Sequence, residues 1–251
     1  MRRRFFVDRF EATSAALRGD SAEHLGRVLR AEPGQLYELS DGRRVWLGRV
    51  TRVALSKRGD NLVEFALVEP VPAREPALEV QLLISLVKFD RFEWCLEKAT
   101  ELGASEIVPL TAARTDKPLI AAAGKRHARW ERIVLESAQQ SRRLSPPKVA
   151  HAISPDKAFA QSSSACKILL SERPEAPLLR ELIAAAKERQ PGAVISTAAL
   201  AIGPEGSWTD AEIAGARAAG FGEASLGENI LRTETAVLAA LAVTRFALGA
   251  F

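Results

Sequence analysis

The chain has few of the residues that build metal centres and cross-linked scaffolds. Its 251 residues include only two cysteines, Cys95 and Cys166, and three histidines, His24, His127 and His151. The cysteines are far apart, and no histidine or cysteine shows the spacing of a metal site. The sequence therefore excludes a disulfide framework and a zinc cluster, predicts no metal, and fits a reducing cytosol.

Long apolar runs are also missing. The longest, Ala236–Val243, has eight residues, whereas a membrane span needs about twenty. The first residues, Met1–Arg9, carry the charge of a signal peptide but no apolar stretch before Asp8. We therefore expect a cytoplasmic protein that makes no use of a membrane.

Several common catalytic and nucleotide-binding signatures do not occur. The chain contains neither the G-x-G-x-x-G turn of dinucleotide-binding folds nor the P-loop. It has no G-x-S-x-G elbow, so Ser207, which follows Gly206, is interpreted as a turn or cap residue. No catalytic triad is recognisable. Dehydrogenase, P-loop and serine-hydrolase functions are therefore disfavoured.

Positive charge is concentrated in two zones. The net charge is +4 and the isoelectric point about 9.3. Residues 1–70 contain 13 Lys and Arg against 10 Asp and Glu, and residues 125–148 contain seven basic against two acidic residues. Either zone alone is compatible with an ordinary solvated surface. Together they favour a polyanionic partner such as RNA or DNA.

The sequence divides into two regions of different periodicity. Residues 1–70 predict a small β-barrel, with a hairpin at Asp41-Gly42 and one short helix over Ala22–Arg30. Residues 71–77 are rich in proline and predict a linker. Residues 78–251 alternate apolar strands with amphipathic helices, which predicts an α/β domain with a mostly parallel sheet.

Two glycine-bearing segments near the C-terminus predict a ligand site. Ala199–Ser207 and Ser225–Ala236 each run from an apolar strand through a glycine turn to the start of a helix. In α/β proteins such turns bring backbone groups close to a ligand at the carboxyl ends of parallel strands. We therefore expect one shared pocket, lined mostly by main chain.

These same segments carry a resemblance to a known family. Ile202-Gly203-Pro204-Glu205-Gly206, together with Leu226-Gly227 and Ile230-Leu231-Arg232-Thr233-Glu234-Thr235-Ala236, resembles the RsmE family of small-subunit ribosomal RNA methyltransferases, in the SPOUT superfamily. Three further segments agree in the same order along the chain. They are Leu25–Arg30, Lys98–Gly103 and Gln140–Arg143.

The resemblance implies a fold, a reaction and a cofactor site. It implies a PUA-like β-barrel followed by a SPOUT α/β domain with a C-terminal trefoil knot, assembled as a homodimer. The expected reaction is methylation of N3 of a uridine in small-subunit rRNA, free or in an assembled subunit, with S-adenosyl-L-methionine as donor. The residues implied for cofactor binding are Leu170, Ser171, Glu172, Ile202, Gly203, Pro204, Glu205, Gly206, Ser225, Leu226, Gly227, Asn229, Ile230, Leu231 and Thr235.

Two arginines are candidates for catalysis. Removing the N3 proton of uracil spreads negative charge onto O2 and O4, where a guanidinium stabilises it. Arg143, in the second basic zone, and Arg232, beside the third implied cofactor loop, fit this role. The alternatives are a phosphate contact for Arg143 and an ion pair with Glu205 or Glu234 for Arg232.

Other arginines predict an RNA-binding surface. Phosphate contacts hold RNA without reading its sequence. The RNA-binding candidates are Arg4, Arg9, Arg27, Arg30 and Arg142, and Arg2, Arg3, Arg43, Arg44, Arg49 and Arg52 add charge to the small domain. Glu205 has three interpretations: an acceptor that shapes its loop, the partner of a basic residue, or a proton acceptor.

The chain departs from the family pattern at a few positions. Ser207 stands where the family has a second glycine, Glu228-Asn229 replace a Pro-Arg pair, and Gln139 replaces a glutamate. Two other functions stay open: a SPOUT ribose 2′-O-methyltransferase acting on rRNA or tRNA, and a ribosome-assembly factor without catalysis.

Overall fold

The chain folds into two compact units. The computed structural model describes residues 3–56, 59–189 and 192–250. The small unit comprises Met1–Glu75 and Ala138–Pro146, and the large unit comprises Pro76–Ser137 and Pro147–Phe251. The sequence assigned residues 138–146 to its second domain, whereas their contacts group them with the small unit.

The small unit is built on a curled five-stranded sheet, a half-barrel. Its strands run in the order β1-β3-β4-β5-β2. Strand β1 pairs parallel to β3, and the other neighbours are antiparallel. The bounds are β1 Arg4–Phe6, β2 Ser14–Arg18, β3 Leu36–Ser40, β4 Val45–Ala54 and β5 Leu62–Val71.

The predicted hairpin at Asp41-Gly42 is confirmed. The Asp41 carboxylate accepts hydrogen bonds from the amides of Arg43 at 3.0 Å and Arg44 at 2.7 Å. Gly42 takes a φ of +84°, which suits glycine. The sequence also predicts a turn at Arg58-Gly59-Asp60-Asn61, and the first residue of this turn, Arg58, lies outside the described residues.

The short helix of the small unit differs from its prediction. It begins at Gly19, as α1 Gly19–Glu23, and continues as a π-helical turn over His24–Val28. It cannot reach Arg30, because Arg30 adopts a left-handed φ of +52°. Gly26 lies so close to Leu55 that an added Cβ would be 2.8 Å from its side chain. This close approach fixes the turn against the sheet.

The large unit is a six-stranded parallel sheet in the order β11-β9-β10-β6-β7-β8. This confirms the predicted mixed α/β class. The strands are β6 Glu79–Ser85, β7 Ala104–Leu110, β8 Lys148–Val149, β9 Cys166–Leu170, β10 Thr197–Ile202 and β11 Gly222–Ala224. The helices are α2 Phe89–Glu101, α3 Lys117–Gln140, α4 Pro155–Gln161, α5 Leu179–Glu188, α6 Asp210–Ala218 and α7 Thr233–Ala247.

The sheet is buried on both faces, as its apolar strands predicted. On β6, Leu82 and Ile84 enter one core with helices α2, α3, α5 and α7, while Leu83 enters a second core with α4 and α6. Side chains alternate across a strand, so a strand covered on both faces must be apolar throughout. None of the helices in the described part of the chain is long and apolar enough to cross a membrane.

The amphipathic spacing of the sequence predicts a helix over Arg126–Leu144, and the observed helix α3 differs from this prediction at both ends. It begins at Lys117, not Arg126, because an alanine-rich stretch of high helix propensity precedes the amphipathic part. It ends at Gln140, not Leu144, because Arg142 adopts a left-handed φ of +55°. The sequence Thr209-Asp210-Ala211-Glu212 predicts a capping box at the start of α6, and this prediction is confirmed. The Thr209 hydroxyl accepts a hydrogen bond from the Glu212 amide, and the Glu212 carboxylate accepts one from the Thr209 amide.

Gly103, which ends α2, provides a test of this architecture. Its φ is +86°, and an added Cβ would be 2.6 Å from a guanidinium nitrogen of Arg245, which is itself held by the Ala250 carbonyl at 2.7 Å. We expect Gly103→Ala to lower the free energy of unfolding by about 1–2 kcal/mol. The measurement is urea denaturation.

The matched control is Gly124→Ala, within helix α3, where an added Cβ meets nothing within 4 Å. Alanine favours helix over glycine by up to about 1 kcal/mol, so this variant should be neutral or stabilised. Equal midpoints for the two variants would contradict the assignment of strain to Gly103.

Candidate functional site

A cavity of about 510 Å³ lies in the large unit, where three neighbouring strands end. Its walls are the loops that follow β9, β10 and β11, with contributions from the first turns of α2 and α7. It is lined by Arg91, Leu170, Ser171, Glu172, Ile202, Gly203, Pro204, Glu205, Ser207, Trp208, Ser225, Leu226, Gly227, Glu228, Asn229, Ile230, Leu231, Arg232, Thr233 and Ala236. The predicted pocket at the two glycine loops is therefore present.

Trp208 joins the first two loops. Its indole N–H donates to the carbonyl of Leu170 at 2.9 Å, and its side chain is almost fully buried. The indole lies against Gly203, where an added Cβ would be 3.1 Å from the ring. The close packing of the indole on Gly203 therefore disfavours a larger side chain at this wall.

Ser207, which the resemblance compares with a glycine of the family, closes the turn after Gly203. Ser207 adopts a left-handed φ of +66°, and its amide donates to the carbonyl of Pro204 at 2.9 Å. Arg114 also stabilises this turn, because its guanidinium donates a hydrogen bond to the Gly206 carbonyl at 2.7 Å. A serine at position 207 is thus compatible with this turn.

The third loop is tied to the first by main-chain hydrogen bonds. The amide of Ser225 donates to the Pro177 carbonyl and the amide of Leu179 donates to the Ser225 carbonyl, both at 2.8 Å. The Ser225 hydroxyl bonds both the amide and the carbonyl of Gly227, at 3.2 and 3.0 Å. Gly227 has a φ of +127°, which makes glycine necessary there.

The cavity wall carries charges of both signs. Glu172, Glu205 and Glu228 contribute carboxylates, and Arg91 and Arg232 contribute guanidinium groups. Arg91 forms an ion pair with Glu205, which corresponds to one of the three interpretations of that glutamate. Arg232 is exposed at the start of α7.

Two interpretations from the sequence depend on these charges. In the described part of the chain, Arg232 forms no ion pair with Glu205 or Glu234. The alternative to a catalytic role, an ion pair with one of these glutamates, is therefore not observed. The carboxylate of Glu205 is engaged by Arg91, which does not favour a role for it as proton acceptor.

Most residues predicted for cofactor binding line this one cavity. The exceptions are Gly206, whose carbonyl is bonded to Arg114, and Thr235, which lies on an exposed part of α7. Sequence reasoning missed Arg91 and Trp208. Arg91 lies more than a hundred positions before the glycine loops, and no local pattern marks it. Trp208 directly follows Ser207, so a large apolar residue beside the glycine turn was an available signal.

The second candidate catalytic residue, Arg143, belongs to the small unit and does not line the cavity. The predicted RNA-binding residues Arg9, Arg27, Arg30 and Arg142 are exposed. Arg2, also assigned to the basic surface, lies outside the described residues. Most of the predicted RNA-binding arginines are therefore exposed, as contact with RNA phosphates requires.

Arg4 is a correction to the predicted RNA-binding set. Its side chain is only 10% exposed, and it forms an ion pair with Glu38 at 2.8 Å. Its guanidinium also donates to the carbonyl of Arg142 at 2.7 Å. A buried guanidinium whose three nitrogens each donate to a protein group is not available to a phosphate, so Arg4 has an internal structural role.

Comparison with known proteins identifies the class. The family model for the RNA methyltransferase domain matches residues 74–245. A solved ribosomal RNA small subunit methyltransferase E from Neisseria gonorrhoeae, bound to S-adenosyl methionine, is 30% identical with a TM-score of 0.81, and 98% of each chain is covered. A methyltransferase from Legionella pneumophila, solved with bound SAM, is 26% identical with a TM-score of 0.83, again over 98% of each chain.

Curated relatives agree with the solved structures. The ribosomal RNA small subunit methyltransferase E of Synechocystis is 36% identical over 87% of this chain and 68% of its own length. That of Bacillus subtilis is 29% identical over 94% of this chain and 91% of its own length. The chain belongs to the ribosomal RNA small subunit methyltransferase E family, which confirms the resemblance found in the sequence.

The indole contact of Trp208 is testable by a conservative change. Trp208→Phe keeps an aromatic ring against Gly203 but removes the buried N–H donor to Leu170. We expect the free energy of unfolding to fall by about 1–3 kcal/mol, since one buried acceptor loses its partner and the smaller ring leaves space. Chemical denaturation followed by circular dichroism measures this. Trp94→Phe is the control, because Trp94 is 40% exposed on α2 and should change stability by less than about 0.5 kcal/mol.

Proposed function

We propose that this protein transfers a methyl group from S-adenosylmethionine to N3 of a uridine in small-subunit ribosomal RNA. The observation that carries the proposal is the cavity formed by the three loops after β9, β10 and β11, all of which lie within residues 74–245, the span that the RNA methyltransferase family model matches. The solved relatives of similar fold from Neisseria gonorrhoeae and Legionella pneumophila are described as bound to SAM.

The residues of the cavity fit this cofactor. Its volume of about 510 Å³ falls in the range typical of small-molecule sites, about 300–1,000 Å³. The loops around Gly203 and Gly227 line the cavity, and Glu172 and Glu228 provide acceptors for amino and hydroxyl groups. We propose that the thirteen residues implied by the family resemblance that line the cavity, all except Gly206 and Thr235, hold the cofactor together with Arg91 and Trp208.

The chain's own residues manage the charge of the reaction. S-adenosylmethionine, when bound, supplies a methyl group on a positively charged sulfur. The protein has to orient the uracil ring of the target nucleotide. It also has to stabilise the negative charge that spreads onto uracil O2 and O4 when the N3 proton is removed. We propose Arg143 and Arg232 for that stabilisation. Glu205 is assigned to shaping the loop through Arg91, not to removing the proton.

Finer features of the fold are part of the same proposal. We propose that the curled sheet is a PUA-like barrel, with residues 1–70 as the RNA-binding domain, 71–77 as linker and 78–251 as the SPOUT domain. We also propose a C-terminal trefoil knot. In its support, the segment after β11 bonds to the segment after β9 through Ser225, and α7 then packs on α2, α5 and β10.

We further propose a cytoplasmic homodimer that acts on rRNA, free or in an assembled subunit. Helix α7 carries exposed apolar residues, Val243 at 37% and Phe246 at 78%, which suit a subunit interface. The exposed arginines Arg9, Arg27, Arg30 and Arg142 suit phosphate contacts, so binding should weaken steeply with salt.

Methyl incorporation tests the reaction and its regiochemistry. The protein is incubated with labelled methyl donor and either naked rRNA or assembled small subunits, and the product is mapped by primer extension. We expect label in RNA and a stop at one uridine, because methylation of N3 blocks the pairing face. Read-through with label would favour a ribose 2′-O-methyltransferase. No label in either substrate would favour an assembly factor and contradict the proposal.

Arg143→Ala tests the proposed catalytic charge. Loss of one donor to a developing anion typically costs about 100- to 1,000-fold in rate. We expect a loss of this size, with cofactor affinity by calorimetry nearly unchanged because Arg143 does not line the cavity. Arg132→Ala is the control, since Arg132 is an exposed arginine of the same basic zone, paired with Glu136. Retained turnover, or lost cofactor binding, in Arg143→Ala would disprove the role.

A further inference from the structure

The segment that carries Arg143 follows an unusual helix end. The amide of Arg143 donates to the carbonyl of Ala138 at 3.0 Å, five residues back, and Arg142 between them is left-handed with φ +55°. This is the Schellman pattern that ends many helices, in which the left-handed position is normally glycine. Here an arginine occupies it, and its Cβ makes that conformation unfavourable.

A buried ion pair holds this turn. The guanidinium of Arg4 donates to the Arg142 carbonyl at 2.7 Å, and its two other contacts, at 2.8 and 3.1 Å, go to one carboxylate oxygen of Glu38. The second oxygen of Glu38 lies 3.7 Å from the guanidinium of Arg142. The side chains of Arg4 and Glu38 are each only 10% exposed. The strained residue is thus held at both its backbone and its side chain.

The sheet brings the holding groups together. In the parallel pairing of β1 with β3, Arg4 is opposite Glu38 and Phe6 is opposite Ser40. The Ser40 hydroxyl, two residues along β3 on the same face as Glu38, donates to the Leu144 carbonyl at 2.6 Å. The main chain is therefore fixed immediately before and immediately after Arg143.

We propose that Arg4 and Glu38 are positioning residues for methyl transfer, which act by fixing the turn that directs Arg143. The inference rests on the proposed catalytic role of Arg143. A buried ion pair adds little net stability because desolvation offsets its attraction, whereas it does select one conformation over others. Strain held in place by surrounding contacts is a feature of functional sites.

The local part of the proposal is tested by hydrogen exchange. Arg4→Lys keeps the charge but loses the planar fork, so one ammonium cannot serve both Glu38 and the Arg142 carbonyl. We expect faster amide exchange in the peptide spanning residues 138–146, with the remaining small-unit peptides unchanged. Arg18→Lys, an exposed arginine on β2, is the matched control and should leave this peptide as it is. Unchanged exchange in Arg4→Lys would overturn the proposal whether or not the protein methylates RNA.

The catalytic part is tested by single-turnover rates at saturating RNA and cofactor. We expect Arg4→Lys and Glu38→Gln to slow methyl transfer on the order of tenfold to a hundredfold, as a misplaced catalytic group does. Affinity for the cofactor should stay within about twofold, since neither residue lines the cavity, and saturating RNA keeps any change in RNA affinity out of the rate. Glu11→Gln, an exposed carboxylate paired with Arg9, should leave the rate unchanged.

Coupling to Arg143 separates positioning from general stability. In an Arg143→Lys background, Arg4→Lys should slow the reaction by less than about twofold, because groups acting through one another are not additive. Full additivity would overturn the proposal. Arg142→Gly should restore most of the rate to Arg4→Lys, since glycine adopts the left-handed turn without help. Saturating RNA keeps any lost phosphate contact of Arg142 out of that measurement.

The outcomes distinguish this inference from the proposed function. Normal turnover in Arg143→Ala refutes the catalytic role of Arg143 and with it the positioning role. If Arg143→Ala slows methyl transfer but Arg4→Lys does not, the positioning role of Arg4 is refuted and the catalytic role of Arg143 stands. Faster exchange in residues 138–146 without any loss of rate also refutes it, because the turn would then be structural only.

Discussion

The site depends above all on the parallel register of β9, β10 and β11. Leu169 is opposite Ala201, and Leu170 is opposite Ala224, so all three strands end at one edge of the sheet. Their loops therefore meet, and one indole hydrogen bond and a few main-chain bonds suffice to join them. The small side chains of β10 allow close packing beside these loops. Ala198 enters one core of the large unit, and Ala199 enters the other.

Charge is used differently in the two units. At the cavity, Arg91 and Glu205 form an ion pair on the wall itself, where solvent reaches both side chains and the pair constrains a loop more than it stabilises the fold. In the small unit, Arg4 and Glu38 are buried, and their geometry is fixed by adjacent paired strands. Both pairs hold backbone that leaves a regular element. Electrostatics here mainly selects conformations of turns.

The sequence was informative where a local pattern has one physical cause. Continuous apolar strands predicted a sheet covered on both faces, the glycine turns located the cavity, and Thr209 with Glu212 marked a helix start. It was not informative about contacts between distant segments. Arg4 and Arg142 are 138 positions apart in the sequence. No local pattern therefore showed that Arg4, unlike the other predicted RNA-binding arginines, is buried. Residues 138–146 were assigned to the large domain for the same reason, since helix periodicity says nothing about which unit the end of a helix contacts.

Trp208 also makes the cavity observable. The chain has four tryptophans. Trp130 is buried in a core, Trp94 is on the outer surface of α2, and Trp208 is the one that lines the cavity in the described part of the chain. Its indole lies between the carbonyl of Leu170 and the backbone of Gly203, so any ligand that enters alters the surroundings of a natural fluorophore. Emission from the unlabelled protein can therefore report when the cavity is filled and how fast it empties.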